Sequence, residues 1–107
     1  MNKKSAYDLY TVQEIALVKK KCLISKHLIN WLNNHGYRKG LVQDIVLALK
    51  DEFFEKTVTL ENIPGRLADI YRMYYENEEW YIKIFLDEKS GEIVVRVWSC
   101  WPNGALH

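Results

Sequence analysis

The sequence predicts an α+β fold in which helices in the N-terminal half pack on a C-terminal antiparallel β-meander. Three observations carry this. Helix start and stop signals are dense before residue 51. The apolar period changes from helical to alternating at Phe53. Ten of the fourteen aromatic residues then lie between Phe53 and Trp101, where strand-forming residues concentrate. Helices followed by strands, without a linker or an internal repeat, make one domain over residues 1–107. That length suffices for a buried core, and 49% apolar against 27% charged residues argues against disorder.

Each element has its own signal. Thr11-Val-Gln-Glu14 reads as a capping box opening a first helix, with Tyr10 and Ile15 placed to staple it. Val12, Ile15 and Ala16 mark its buried face, and Lys19-Lys20-Lys21 would complement its dipole at the C-terminal end. Cys22-Leu-Ile24 is a short candidate strand. Ser25 caps a second helix that presents Leu28, Ile29, Trp31 and Leu32, and Gly36 stops it. A third helix runs from about Leu41 to Lys50 on Val42, Ile45, Val46 and Leu49. Phe53 to Leu60 is the first meander strand, with Phe54, Lys56, Val58 and Leu60 sharing a face. Pro64-Gly65 is a turn. Ala68 to Tyr75, Trp80 to Leu86 and Ile93 to Trp98 are the remaining strands, the last two joined by a hairpin-like Asp87–Gly91.

Composition removes several classes of function. No apolar run approaches the ~18 residues of a membrane span, and Met1-Asn-Lys-Lys-Ser lacks the apolar core of a signal peptide. Cys22 and Cys100 form no CxxC and no metal spacing, so a cytoplasmic protein without a structural zinc is expected. No serine sits in a Gly-x-Ser-x-Gly elbow, and no glycine-rich loop precedes a helix. His27, His35 and His107 form no ligand pair, and His35 reads as a cation near a helix end. Glu78-Glu79 and Asp87-Glu88 read as solvated loop carboxylates. Neither a metal nor a cofactor is expected.

What remains is a charge asymmetry and a set of strand cations. Residues 1–50 carry nine Lys/Arg against three Asp/Glu, net +6, and residues 51–107 carry six against eleven, net −5. This fits a nucleic-acid face, an intramolecular charge match, a protein interface or simple solvation. Lys56, Arg72, Tyr81, Lys83 and Arg96 fall on strands, where an ammonium is not what packing alone selects. Gathered on one sheet face they suit RNA, cations holding phosphate and aromatics stacking bases. Snorkelling from an exposed face explains them equally.

Three segments, read in order, add a resemblance. Leu49-Lys-Asp-Glu-Phe-Phe-Glu-Lys56-Thr57-Val58-Thr59, then Leu67-Ala68-Asp69-Ile70-Tyr71-Arg72, then Tyr81-Ile82-Lys83-Ile84 follow one another at the spacing of a known pattern without gaps. Over Val42 to Lys83 the chain resembles the MqsR family of messenger-RNA-cleaving toxins, in the RelE-like group of toxin–antitoxin modules. The family reads Asp-Phe-Tyr-Lys-Ser-Met-Thr, Trp-Gln-Asp-Val-Tyr-Arg and Tyr-Leu-Lys-Ile at these places. The resemblance implies a RelE-like fold and a sequence-specific, metal-independent endoribonuclease that inhibits translation and growth. The implied partners are mRNA and a cognate antitoxin, with the ribosome as a further candidate and no membrane. Lys56 and Tyr81 carry over as catalytic residues, and of the strand cations Arg72 and Lys83 are the RNA-binding candidates.

Two departures stand out. The family's catalytic Gln falls on Ala68, so restoring Gln there is expected to raise activity. The family's C-terminal Ser-Phe-Lys has no counterpart in Val97-Trp-Ser-Cys-Trp101, and Arg96, the nearest cation, is taken as the substitute for its catalytic lysine. The tail Trp101–His107 lies outside the family pattern. Two other classes of function stay open: a catalytically degenerate relative that binds RNA or the ribosome, and a small protein-binding inhibitor on the same fold.

Overall fold

The computed structural model describes residues 4–102. Helix α1 spans Leu9–Ala16, strand β1 Cys22–Ile24, α2 Lys26–Asn34 and α3 Leu41–Ala48. Four long strands follow: β2 Phe54–Thr59, β3 Leu67–Tyr75, β4 Glu78–Lys89 and β5 Glu92–Pro102. The expected α+β class is correct. The sheet order is β1-β5-β4-β3-β2, and β2 through β5 form the antiparallel meander. One pairing differs from a purely antiparallel sheet. β1, contributed by the helical half, adds to the free edge of β5 in parallel, with Cys22 opposite Val95 and Ile24 opposite Val97.

Local chemistry explains the helix ends, and moves two of them. α1 begins at Asp8, not Thr11: the Asp8 carboxylate accepts from the Thr11 backbone N–H at 3.0 Å and from its hydroxyl at 2.8 Å. The earlier start lets Leu9 join Val12 and Ala16 in the core, which a helix capped at Thr11 would forgo. Tyr10 closes no staple and is 70% exposed. α1 also stops before the lysines, and Lys19–Lys21 form a 3₁₀ turn. Ser25 caps α2 as expected, accepting from Leu28 N–H at 3.3 Å, and Gly36 follows with φ +78°. His35 ends α2 with its Nδ1 2.8 Å from the Trp31 carbonyl, the ring stacked on Trp31 at 3.9 Å.

Two glutamines tie α1 to α3. Gln13 Nε2 donates to the carbonyls of Val46, Leu47 and Leu49, at 3.1, 3.2 and 2.8 Å. Gln43 Nε2 donates to Ala16 O at 2.7 Å. Each helix thereby caps the C-terminal carbonyls of the other, groups that an intrahelical ladder leaves open.

The helices bury one face of the sheet. Val12, Leu28, Ile45 and Val46 pack with Tyr71, Trp80, Ile82, Ile84, Val95 and Val97. Asp69 is fully buried on this side, yet its carboxylate accepts from Ala6 N–H, Tyr7 N–H and the Thr57 hydroxyl, so the N-terminal segment is pinned to β3. Cys22 and Cys100 are free, buried thiols. Burial pushes Cys22 up to about 11 and raises Cys100 as well.

Candidate functional site

On the other face, register decides which side chains meet. Residues directly opposite each other across a sheet point to the same side. Lys56 stands opposite Ile70, Ile70 opposite Lys83, and Lys83 opposite Ser99, making one row across four strands. The adjoining row is Arg72 and Tyr81, continued in register by Trp101, which is buried against Trp31 of α2. The strands of Lys56 and Lys83 are two spacings apart, roughly 10 Å.

Two β-bulges create this arrangement. In β2 the register shifts between Phe54 and Lys56, so Glu55 is the extra residue. Phe54 then faces the helices beside Tyr71, ring centroids 5.6 Å apart, while Lys56 turns to the open side. The expected sharing of one face by Phe54 and Lys56 is therefore corrected: a strict two-residue alternation overlooks the bulge. In the β4–β5 ladder a second shift makes Trp98 the extra residue between Val97 and Ser99. Trp98 lies on the open side against Phe85, centroids 5.8 Å apart.

The loop joining β2 to β3 folds over one end of this face. Leu60 packs with Ala68 and Phe85, while Val58, Ile63 and Trp98 close around them. Arg66 fastens the loop: its guanidinium donates to Leu86 O at 3.0 Å, pairs with Asp87 at 3.1 Å and lies 5.3 Å from the Phe85 ring centroid. Asp87 also holds Arg96 at 3.0 Å. The Glu88 backbone N–H, with the two guanidiniums, holds the Asp87 carboxyl below its usual range. Asp87 is thus a clasp inside β4, and Glu78, also in β4, accepts from the Tyr37 hydroxyl at 2.9 Å. The expected loop carboxylates prove to be strand residues, and Glu78 and Asp87 among them have partners.

Where the loop ends, a cleft of about 390 Å³ opens, within the size range of ligand sites. Its walls are Lys56, Val58 and Ile70, the loop residues Leu60–Asn62, and Tyr81, Lys83 and Trp98. Among the described residues neither Lys56 nor Lys83 has an ion-pair partner, so both ammonium groups face solvent and the cleft. Burial raises the Tyr81 phenol above its ordinary value, offset in part by the Arg72 guanidinium. At neutral pH it is an O–H donor. Arg72 bonds the bulged Glu55 at 2.7 Å and lies 5.7 Å from the Tyr81 ring centroid, which braces the phenol from the side away from the cleft.

Residues 4–97 match the family described as motility quorum-sensing regulator, toxin of MqsA. The chain belongs to the MqsR toxin family. It is thereby a toxin of a toxin–antitoxin module, and the family description supplies an antitoxin partner, MqsA. No curated protein sequence matches the chain. Among the described residues no helix is long and apolar enough to cross a membrane, and no three His, Cys, Asp or Glu side chains gather as a metal site.

Lys56, Tyr81 and Lys83 meet in the cleft, with Arg72 beside it. Arg96 does not: it stands opposite Phe85 beyond the covering loop and is engaged by Asp87. The Trp98 bulge and the covering loop lie between Arg96 and the cleft. Ala68, where the MqsR family has Gln, is fully buried in the cluster with Leu60 and Phe85. Sequence reasoning missed Glu61, Asn62 and Trp98. Trp98 owes its place to a bulge that exists only in the folded sheet, and loop residues carry no period at all. The tail beyond Pro102 lies outside the described residues.

Proposed function

We propose that the chain is a sequence-specific endoribonuclease that cleaves messenger RNA in the cytoplasm, inhibiting translation and growth until its antitoxin binds. The observation that supports this reading is the cleft itself. Two unpaired lysines and a protonated phenol converge on the open face of a rigid sheet, beside an aromatic wall. Cations and donors held in place where negative charge develops are the main requirement of phosphodiester cleavage.

In the proposed reaction the 2′-hydroxyl attacks the adjacent phosphorus in line, which restricts the enzyme to RNA. The O2′–P bond forms and the P–O5′ bond breaks, leaving a 2′,3′-cyclic phosphate and a 5′-hydroxyl. Lys56 stabilises the crowded anionic phosphorane or protonates the leaving O5′. Tyr81 donates its hydrogen bond to a phosphate oxygen and orients it. Glu61, the one carboxylate among the residues forming the cleft, accepts the 2′ proton in this scheme. Lys83 holds the neighbouring phosphate, and Arg72 steadies Tyr81. Lysine and phenol supply the charge stabilisation, so the reaction proceeds in EDTA.

A second reading is favoured by Ala68. With an apolar cluster where the family places its Gln, the chain would bind RNA or the ribosome without cutting. Purified protein, an mRNA transcript and EDTA separate the two. Discrete fragments ending in cyclic phosphate support the nuclease. A mobility shift with intact RNA supports the binding relative, and neither outcome leaves only an antitoxin-binding role.

A further inference from the structure

The proposed nuclease chemistry uses the lysines, the phenol and Glu61, but not the aromatic wall. Trp98 is unlike the other tryptophans of this chain. Trp80 is buried in the helix-side core with its Nε1 donating to Tyr75 O, and Trp31 and Trp101 pack on each other edge-on at 5.0 Å. Trp98 is half-buried, occupies the extra position of a bulge, and borders the cleft with Lys56 and Lys83. A bulge interrupts the ladder and costs pairing, and it commonly re-aims one side chain beside a functional site. Phe85 backs the indole at a tilt of 56°, so its position is fixed by packing. Asn62, on the rim of the same cleft, is exposed and brings both a donor and an acceptor.

We propose that Trp98 is a base-stacking platform for an unpaired RNA nucleobase next to the scissile phosphate, with Asn62 reading the edge of that base. This rests on the nuclease reading and names the part of the substrate that the cleft grips. Phosphate alone would bind Lys56 and Lys83 regardless of sequence. A stacked base adjoining them fixes which phosphodiester lies over Tyr81, which is where sequence specificity would originate. The charge pattern fits this occupant: two cations lie at the phosphate end and a neutral indole and amide at the base end.

The test is a binding titration of the full chain with a short 2′-O-methyl RNA copied from the segment of the transcript that spans a cut, which itself cannot be cut. Trp98→Leu is expected to weaken binding by about tenfold or more, and Trp98→Phe by about threefold or less, because a phenyl ring still stacks. Because Trp98→Leu could loosen the packing on Phe85, an independent arm leaves the protein unchanged. Wild-type chain is titrated with RNAs in which each base in turn is removed to give an abasic site. One position is expected to lose about tenfold in affinity. A folded Trp98→Leu protein with wild-type affinity, or abasic RNAs that all bind equally, overturns the stacking subsite and leaves the nuclease reading intact. Absence of any RNA binding by the wild-type chain overturns both.

Discussion

At the scale of single residues, the position of a side chain relative to the covering loop matters more than its identity. Ala68 carries no accessible surface and touches Leu60 and Phe85. A glutamine there would have to lift the loop or bury its amide in an apolar cluster. The sequence-based expectation that Ala68→Gln raises activity is therefore replaced by its opposite. The substitution should cost about 1–3 kcal/mol, as overpacking does, and leave cleavage no faster. Thermal unfolding and a cleavage assay on the same preparation check both halves. A faster enzyme with an unchanged melting temperature would show that the loop yields without cost. Lys56, Tyr81 and Lys83 are legible in the sequence, since charged or phenolic residues on strands are conspicuous. Trp98 and Glu61 are not: one depends on a bulge and the other on a loop, and neither leaves a periodic trace.

At the scale of elements, Ser25, Gly36 and the change of period at Phe53 are readable because they act locally. The true N-cap of α1 is hidden by a better-looking motif three residues on. Its selection depends on burying Leu9, which is a tertiary effect. The parallel docking of β1 is equally invisible, since three residues carry no period and the free edge of β5 exists only in the folded sheet. The Gln13–Gln43 exchange belongs to this class too. Gln13 satisfies three carbonyls at the end of α3 through a partly buried amide. Gln13→Ala should destabilise the protein by about 1–2 kcal/mol in urea denaturation, with the slope of the transition unchanged. A midpoint equal to that of wild type would mean that water replaces the amide without loss. Helix α1 takes no part in the cleft, so RNA binding should be unaffected.

At the scale of the whole molecule, the two halves of the chain divide the labour. The basic, helical half supplies the core that flattens one side of the sheet. The aromatic half carries the cleft on the other side, although its net charge is negative. Three of its eleven carboxylates are engaged within the sheet: Glu55 by Arg72, Asp69 by backbone amides, Asp87 by Arg66 and Arg96. Lys56 and Lys83 have no ion-pair partner among the described residues, so a formal charge of +1 does not argue against RNA at the cleft. Production of the chain alone in bacteria should arrest growth, and co-production of its antitoxin should restore it. Undiminished growth with soluble protein confirmed in the extract would favour the non-cleaving relative.

Whether the paired bulges assemble a phosphodiester-cleaving cleft around Lys56 and Tyr81 is decided by single-turnover cleavage of one RNA in EDTA, comparing wild type with Lys56→Ala and Tyr81→Phe. Both side chains lie at the cleft surface, where substitutions usually change stability by less than about 0.5 kcal/mol, so circular dichroism melts should coincide. Each substitution should slow cleavage by about 10²–10⁴-fold, the range of a positioned proton donor or charge stabiliser. Wild-type rates in both variants would contradict the assignment of the cleft as the site of cleavage.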